Sequence, residues 1–116
     1  MINEIVEKYE KFSDSLISEF TFKSSEIDQI EIVIKCRNAN RNYEWELVRL
    51  MFNDVFEFRF VSLANMSSVV INSALIKQEN GFIIVDFFPL IFANDNLKEN
   101  IQSDLIIKCK ELKYSV

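Results

Sequence analysis

Glu44 and Glu46 stand two apart in an alternating stretch, a spacing that puts both carboxylates on one face of a strand. Paired carboxylates are the minimum equipment for acid/base work. The rest of the chain supplies nothing to complete a site around them. There is no histidine, which removes the commonest general base, the Ser-His and Cys-His nucleophile pairs and His-containing zinc sites. A single glycine excludes the P-loop and the GxGxxG turn, which need several glycines to bring backbone amides against phosphate. Asn94-Asp95-Asn96 lacks the acidic ligand series, central glycine and closing glutamate of a calcium loop. Phe56, Phe58 and Phe60 at period two are spaced like a base-stacking strand, but without its glycines or basic setting they read as core. The expectation is a binding protein rather than an enzyme, with no catalytic residue, metal or cofactor.

Thirteen basic against eighteen acidic side chains give a net charge of -5, which disfavours nucleic acid and anionic membrane as partners. The excess lies early: Glu4, Glu7, Glu10, Asp14, Glu19, Glu26, Asp28 and Glu31 face only Lys8, Lys11 and Lys23. Negative charge of this kind steers association with a basic protein. A second candidate patch sets Tyr43 and Trp45 beside Glu44 and Glu46, and charge reversal is expected to matter most at Glu44, Glu46, Asp54 and Glu57 on one exposed side of the sheet. Tyr43 with these four acids is the expected partner-binding set, and the helix acids Glu7, Glu10 and Asp14 are its rival. Asp86, inside Phe82 to Phe88, needs a partner if buried; Arg59 or Arg49 would serve, or the residue marks a sheet edge left open.

Hydrophobic residues make up 49 % of the 116, enough for one core and a single domain over residues 1–116. Ile2, Ile5, Val6, Tyr9, Phe12, Leu16 and Phe20 recur every three or four residues and predict one helix, with Asn3 as its cap. Strands are expected over 27–37, over 43–52 with a bulge near Leu47, and over 55–62. An irregular patch at 65–72 precedes a hairpin of 74–78 and 82–88 turned by Asn80-Gly81. A helical turn at Leu97 to Ile101 and a last strand at Leu105 to Cys109 complete the reading. The fold class is therefore α+β: an N-terminal helix packed on a twisted, mainly antiparallel sheet of about six strands, a half-barrel or sandwich. Cys36 and Cys109 are far apart, and the start Met-Ile-Asn-Glu lacks the features of a signal peptide, so reduced thiols and a cytoplasmic location are expected.

Val48-x-Leu50-x-Phe52-x-Asp54-Val55, Phe58-Arg59-Phe60, Asn80-Gly81 and Val85-Asp86-Phe87-x-Pro89 together resemble small acidic bacterial proteins encoded beside polymorphic or contact-dependent growth inhibition toxins. The resemblance spans residues 43 to 110. It implies an immunity protein that binds the C-terminal domain of a cognate toxin, often a basic nuclease, and occludes its active site, being a monomer or weak homodimer when free. No binding residue follows from the motifs, because such families diverge most at the contact surface. The competing expectations are a small barrel around an apolar ligand and a structural adaptor subunit.

Overall fold

The run Gln29–Asn38 can bury Ile30, Ile32, Ile34 and Cys36 together only as an extended strand, since alternate side chains then share a face. The computed structural model, which describes residues 2–24, 26–61 and 69–116, makes this run β2, the centre of a five-stranded antiparallel sheet. Its other strands are β1 (Ser15–Lys23), β3 (Glu44–Asn53), β5 (Val69–Ile71) and β11 (Glu111–Ser115), in the order β11-β3-β2-β1-β5. A four-stranded antiparallel sheet holds β4 (Glu57–Phe60), β6 (Leu75–Glu79), β7 (Phe82–Asp86) and β10 (Leu105–Cys109), in the order β4-β10-β7-β6. A short ribbon pairs β8 (Leu90–Ile91) with β9 (Leu97–Lys98).

Both large sheets feed one core. Ile32, Leu50 and Phe52 from the first meet Ile76, Val85, Leu105 and Ile107 from the second in a single buried cluster. Lys110 alone separates β10 from β11, so the chain passes from one sheet to the other there. One seam between the sheets is filled by phenylalanines: Phe20 packs on Phe60 at 4.4 Å and Phe22 on Phe58 at 4.8 Å between ring centroids. The helix α1 (Ile2–Lys8) packs against β6 and the 39–41 turn, burying Ile5.

The α+β class and the antiparallel sheet agree with expectation, but the strands number eleven among the described residues, not about six. The predicted helix also stops at Lys8, with Asn3 inside it rather than capping it. Residues from Ser15 form a strand because a bulge at Ser18 shifts the register, so that Ile17 pairs with Ile34 and Phe20 with Ile32 on the same inner face. No bulge lies near Leu47: β3 pairs with β2 without interruption from Gln29 opposite Asn53 to Asn38 opposite Glu44. Leu97 and Lys98 form a strand in place of the expected helical turn, and β11 follows the strand expected to be last. Asn80 and Gly81 turn the β6–β7 hairpin at φ 52° and 83°, as their types predict. Most of the irregular patch expected at 65–72 lies outside the described residues; its end forms β5.

Candidate functional site

Between α1 and β1 the chain reverses without a glycine. Glu10, Lys11 and Phe12 take left-handed angles (φ 49°, 58° and 56°), and Asp14 does so again at 56°. Each such residue costs roughly 1–2 kcal/mol. What holds them is burial: Tyr9 and Phe12 are 1 % and 0 % exposed with rings stacked 5.6 Å apart, each contributing about 2–3 kcal/mol. The Lys11 carbonyl also accepts the Ala74 N–H at 2.7 Å.

The β2–β3 connection is strained in the same way. The Asn38 side chain accepts the Asn40 N–H at 2.9 Å, residues 39–41 form one 3-10 turn, and Asn42 and Tyr43 are both left-handed (φ 55° and 59°). Asn tolerates that region; Tyr does so at a cost. The resulting geometry aims the Tyr43 hydroxyl at Glu10 Oε1, to which it donates at 2.9 Å. That bond raises the Tyr43 pKa above its ordinary value. The two segments expected as rival binding patches are thus parts of one exposed surface, with Tyr43 53 % exposed.

Glu46 lies beneath this surface rather than on it. It faces inward opposite Cys36, with its side chain 8 % exposed. Its carboxylate accepts Asn38 Nδ2 at 3.0 Å and the Tyr9 hydroxyl at 3.1 Å, and Arg41 stands 3.5 Å away. The Asn38 hydrogen bond, then those of Tyr9 and the nearby Arg41 and Lys8 charges, hold its pKa below the ordinary carboxylate range against the opposing effect of burial. Tyr9 is pushed upward by burial and by Glu46. Glu46 is therefore a structural acceptor at the mouth of the core. Glu44, on the same strand face, is exposed, so the two do not form a matched catalytic pair.

The remaining expected residues are elsewhere. Asp54 sits in the exposed corner after β3, about 30 Å of strand from Glu44, beside an open cleft of about 380 Å³ lined by Ile27, Gln29, Asn53 and Glu111. Glu57 lies on the outer face of the other sheet, paired with Lys108 at 2.9 Å. Tyr43, Glu44, Glu46, Asp54 and Glu57 thus do not share one exposed side. Glu10 joins Tyr43 instead, a pairing across 33 positions for which the sequence carries no local signal.

Asp86 is fully buried, and no basic side chain pairs with it among the described residues. Its oxygens accept the backbone N–H groups of Phe88 at 3.0 Å and Asn100 at 2.8 Å, and its strand β7 is internal to the sheet, which replaces both the expected arginine pairing and the open edge. The thiols of Cys36 and Cys109 are free and buried; burial raises them to about 12 and about 11. Among the described residues no group of three His, Cys, Asp or Glu side chains could hold a metal ion, and no helix is long and apolar enough to cross a membrane. No protein-family model, no curated protein and no solved structure matches the chain.

Proposed function

We propose that this chain is an immunity protein, which binds a basic toxin domain and occludes its active site through the surface where Glu10 and Tyr43 meet. The observation that carries the reading is their hydrogen bond, because it ties together two left-handed, acid-bearing segments. Strain held in place by surrounding packing is found at binding and catalytic sites more than elsewhere. A tyrosine is a good interface anchor, with a large rigid contact area and a polar tip. Glu7, Glu10, Asp14 and Glu44 are all exposed and supply the charge that would attract a basic domain. The absence of histidine and the consumption of Glu46 inside the fold leave this surface to work by contact rather than by chemistry. The cleft lined by Glu57, Phe58, Arg59, Glu99, Ile101, Ile106 and Lys108 mixes charged and apolar side chains, and the one beside Val6, Leu75, Ile76 and Leu97 lies open to solvent; neither is the enclosed apolar cavity that the ligand-binding alternative calls for.

The test is co-expression with the toxin domain encoded by the adjacent gene. A complex recovered by pull-down, protection of the host cell, and loss of both with Tyr43→Ala and Glu10→Lys together would support the reading. No complex and unchanged toxicity would end it.

A further inference from the structure

On the outer face of the five-stranded sheet, Arg37 is the cross-strand neighbour of Trp45, and Lys35 that of Leu47. Both cations are exposed and lie over the Trp45 ring, with the Arg37 guanidinium carbon 4.8 Å and Lys35 Nζ 5.6 Å from its centroid. Neither has a carboxylate partner among the described residues, whereas Arg49, further along the same strand face, is taken up by Glu31. Glu19, opposite Val33 on β1, makes no ion pair with Lys35. A guanidinium lying on an aromatic ring is held in place while its in-plane N–H donors stay available, and a carboxylate takes two of them at once. The strand β11 ends at Ser115 opposite Arg49, so Trp45 and Leu47, 48 % and 59 % exposed, stand on the uncovered margin of the sheet.

We propose that Arg37 and Lys35 bind an acidic segment of a partner protein, lying extended along β2 with one carboxylate on each cation. Alternate side chains of an extended segment share a face about 6.6 Å apart, which is also the spacing of Arg37 and Lys35 along their strand. Carboxylates two positions apart therefore reach both cations at once. Because the Trp45 ring already holds the two side chains, little of their freedom is left to lose on binding. Leu47 and the Lys35 stem supply apolar surface beside the cations, and an apolar side chain flanking the acidic pair covers it, displacing water and strengthening the charged contacts. A nucleic acid fits less well, since the net charge of -5 opposes a long run of phosphates and the cations occupy the ring on which a base would stack. The site takes a partner of opposite charge from the one drawn to Glu10 and Tyr43, so it stands whether or not the immunity reading does.

The test is titration of the full chain with the capped peptide Leu-Glu-Val-Glu-Leu to about 1 mM, followed by the emission of Trp45, the one tryptophan. A saturable change with a dissociation constant on the order of 10 to 100 µM is expected, weakening as salt rises. The peptide Leu-Gln-Val-Gln-Leu should not bind. Variants are compared by titration calorimetry, because removing a cation itself alters the ring's emission. Arg37→Gln and Lys35→Gln, with unchanged circular dichroism, should each weaken binding about tenfold. Arg49→Gln, whose cation is already paired, should leave it unchanged. No saturable response, equal binding of the Gln peptide, or an Arg49→Gln loss as large as that of Arg37→Gln would each overturn the proposal. Tighter binding of a short single-stranded oligothymidylate than of the acidic peptide would overturn it in favour of nucleic acid.

Discussion

The Tyr9 hydroxyl, at the end of α1, donates to Glu46 Oε2 on β3 at 3.1 Å, closing the mouth of the core with a carboxylate that also holds Asn38. Because the Glu46 pKa is lowered on folding, its contribution is present above the unfolded value of about 4.3 and is lost as pH falls through the folded value. Glu46→Gln should cost about 1–3 kcal/mol at pH 7, and the gap from the parent should narrow by pH 3. Urea unfolding at both pH values measures it; an equal gap at the two would refute this role for Glu46.

The alkaline limb follows from the opposite sign. Tyr9, Cys36 and Cys109 are all raised in the folded state, so their contributions are intact below their unfolded values and fade as pH rises toward the folded ones. Stability should fall from about pH 8.5 upward, where an unfolded thiol begins to ionise. For the same reason both cysteines should resist a thiol reagent in the native protein at pH 8 and react once it is unfolded without reductant. Rapid labelling of the native chain would contradict the burial of these thiols.

Asp86→Ala should destabilise by about 2–4 kcal/mol, since it leaves the Phe88 and Asn100 N–H groups without their acceptor inside the fold. Asp86→Asn retains one acceptor oxygen and turns a donor toward the other N–H, so a loss of about 1–3 kcal/mol is expected. Thermal or urea unfolding of both variants checks the order; an Asn variant weaker than the Ala variant would show that acceptance by these oxygens is not what matters.

At Gly81 two effects can be separated. A Cβ there would meet nothing within 4 Å, so space is not limiting, but φ is +83°. Gly81→Ala should therefore cost roughly 1–2 kcal/mol from the backbone alone, without change in the core. Amide exchange in β6 and β7 would report the loosened hairpin, and unaltered stability would show that the turn relaxes to another type.

Much was legible from residue types and local spacing. The alternation of Ile30, Ile32, Ile34 and Cys36 determined β2, Asn80-Gly81 determined the β6–β7 turn, and the lack of histidine bounded the chemistry before any fold was known. The misread elements share a cause: local spacing reports which residues are apolar, not which sheet face they meet. The bulge at Ser18 puts Ile17 and Phe20 on one inner face three positions apart, which in sequence is indistinguishable from a helical stripe. On β3, Trp45 and Leu47 are apolar on the outer face while Val48, Leu50 and Phe52 are apolar on the inner one, so an uninterrupted strand reads as a bulged one. Tertiary structure alone decided that Glu46 turns inward to Tyr9 and that Tyr43 meets Glu10. Those contacts join residues more than thirty positions apart, and they exist only because the burial of Tyr9 and Phe12 offsets the cost of a left-handed turn that residue types by themselves oppose.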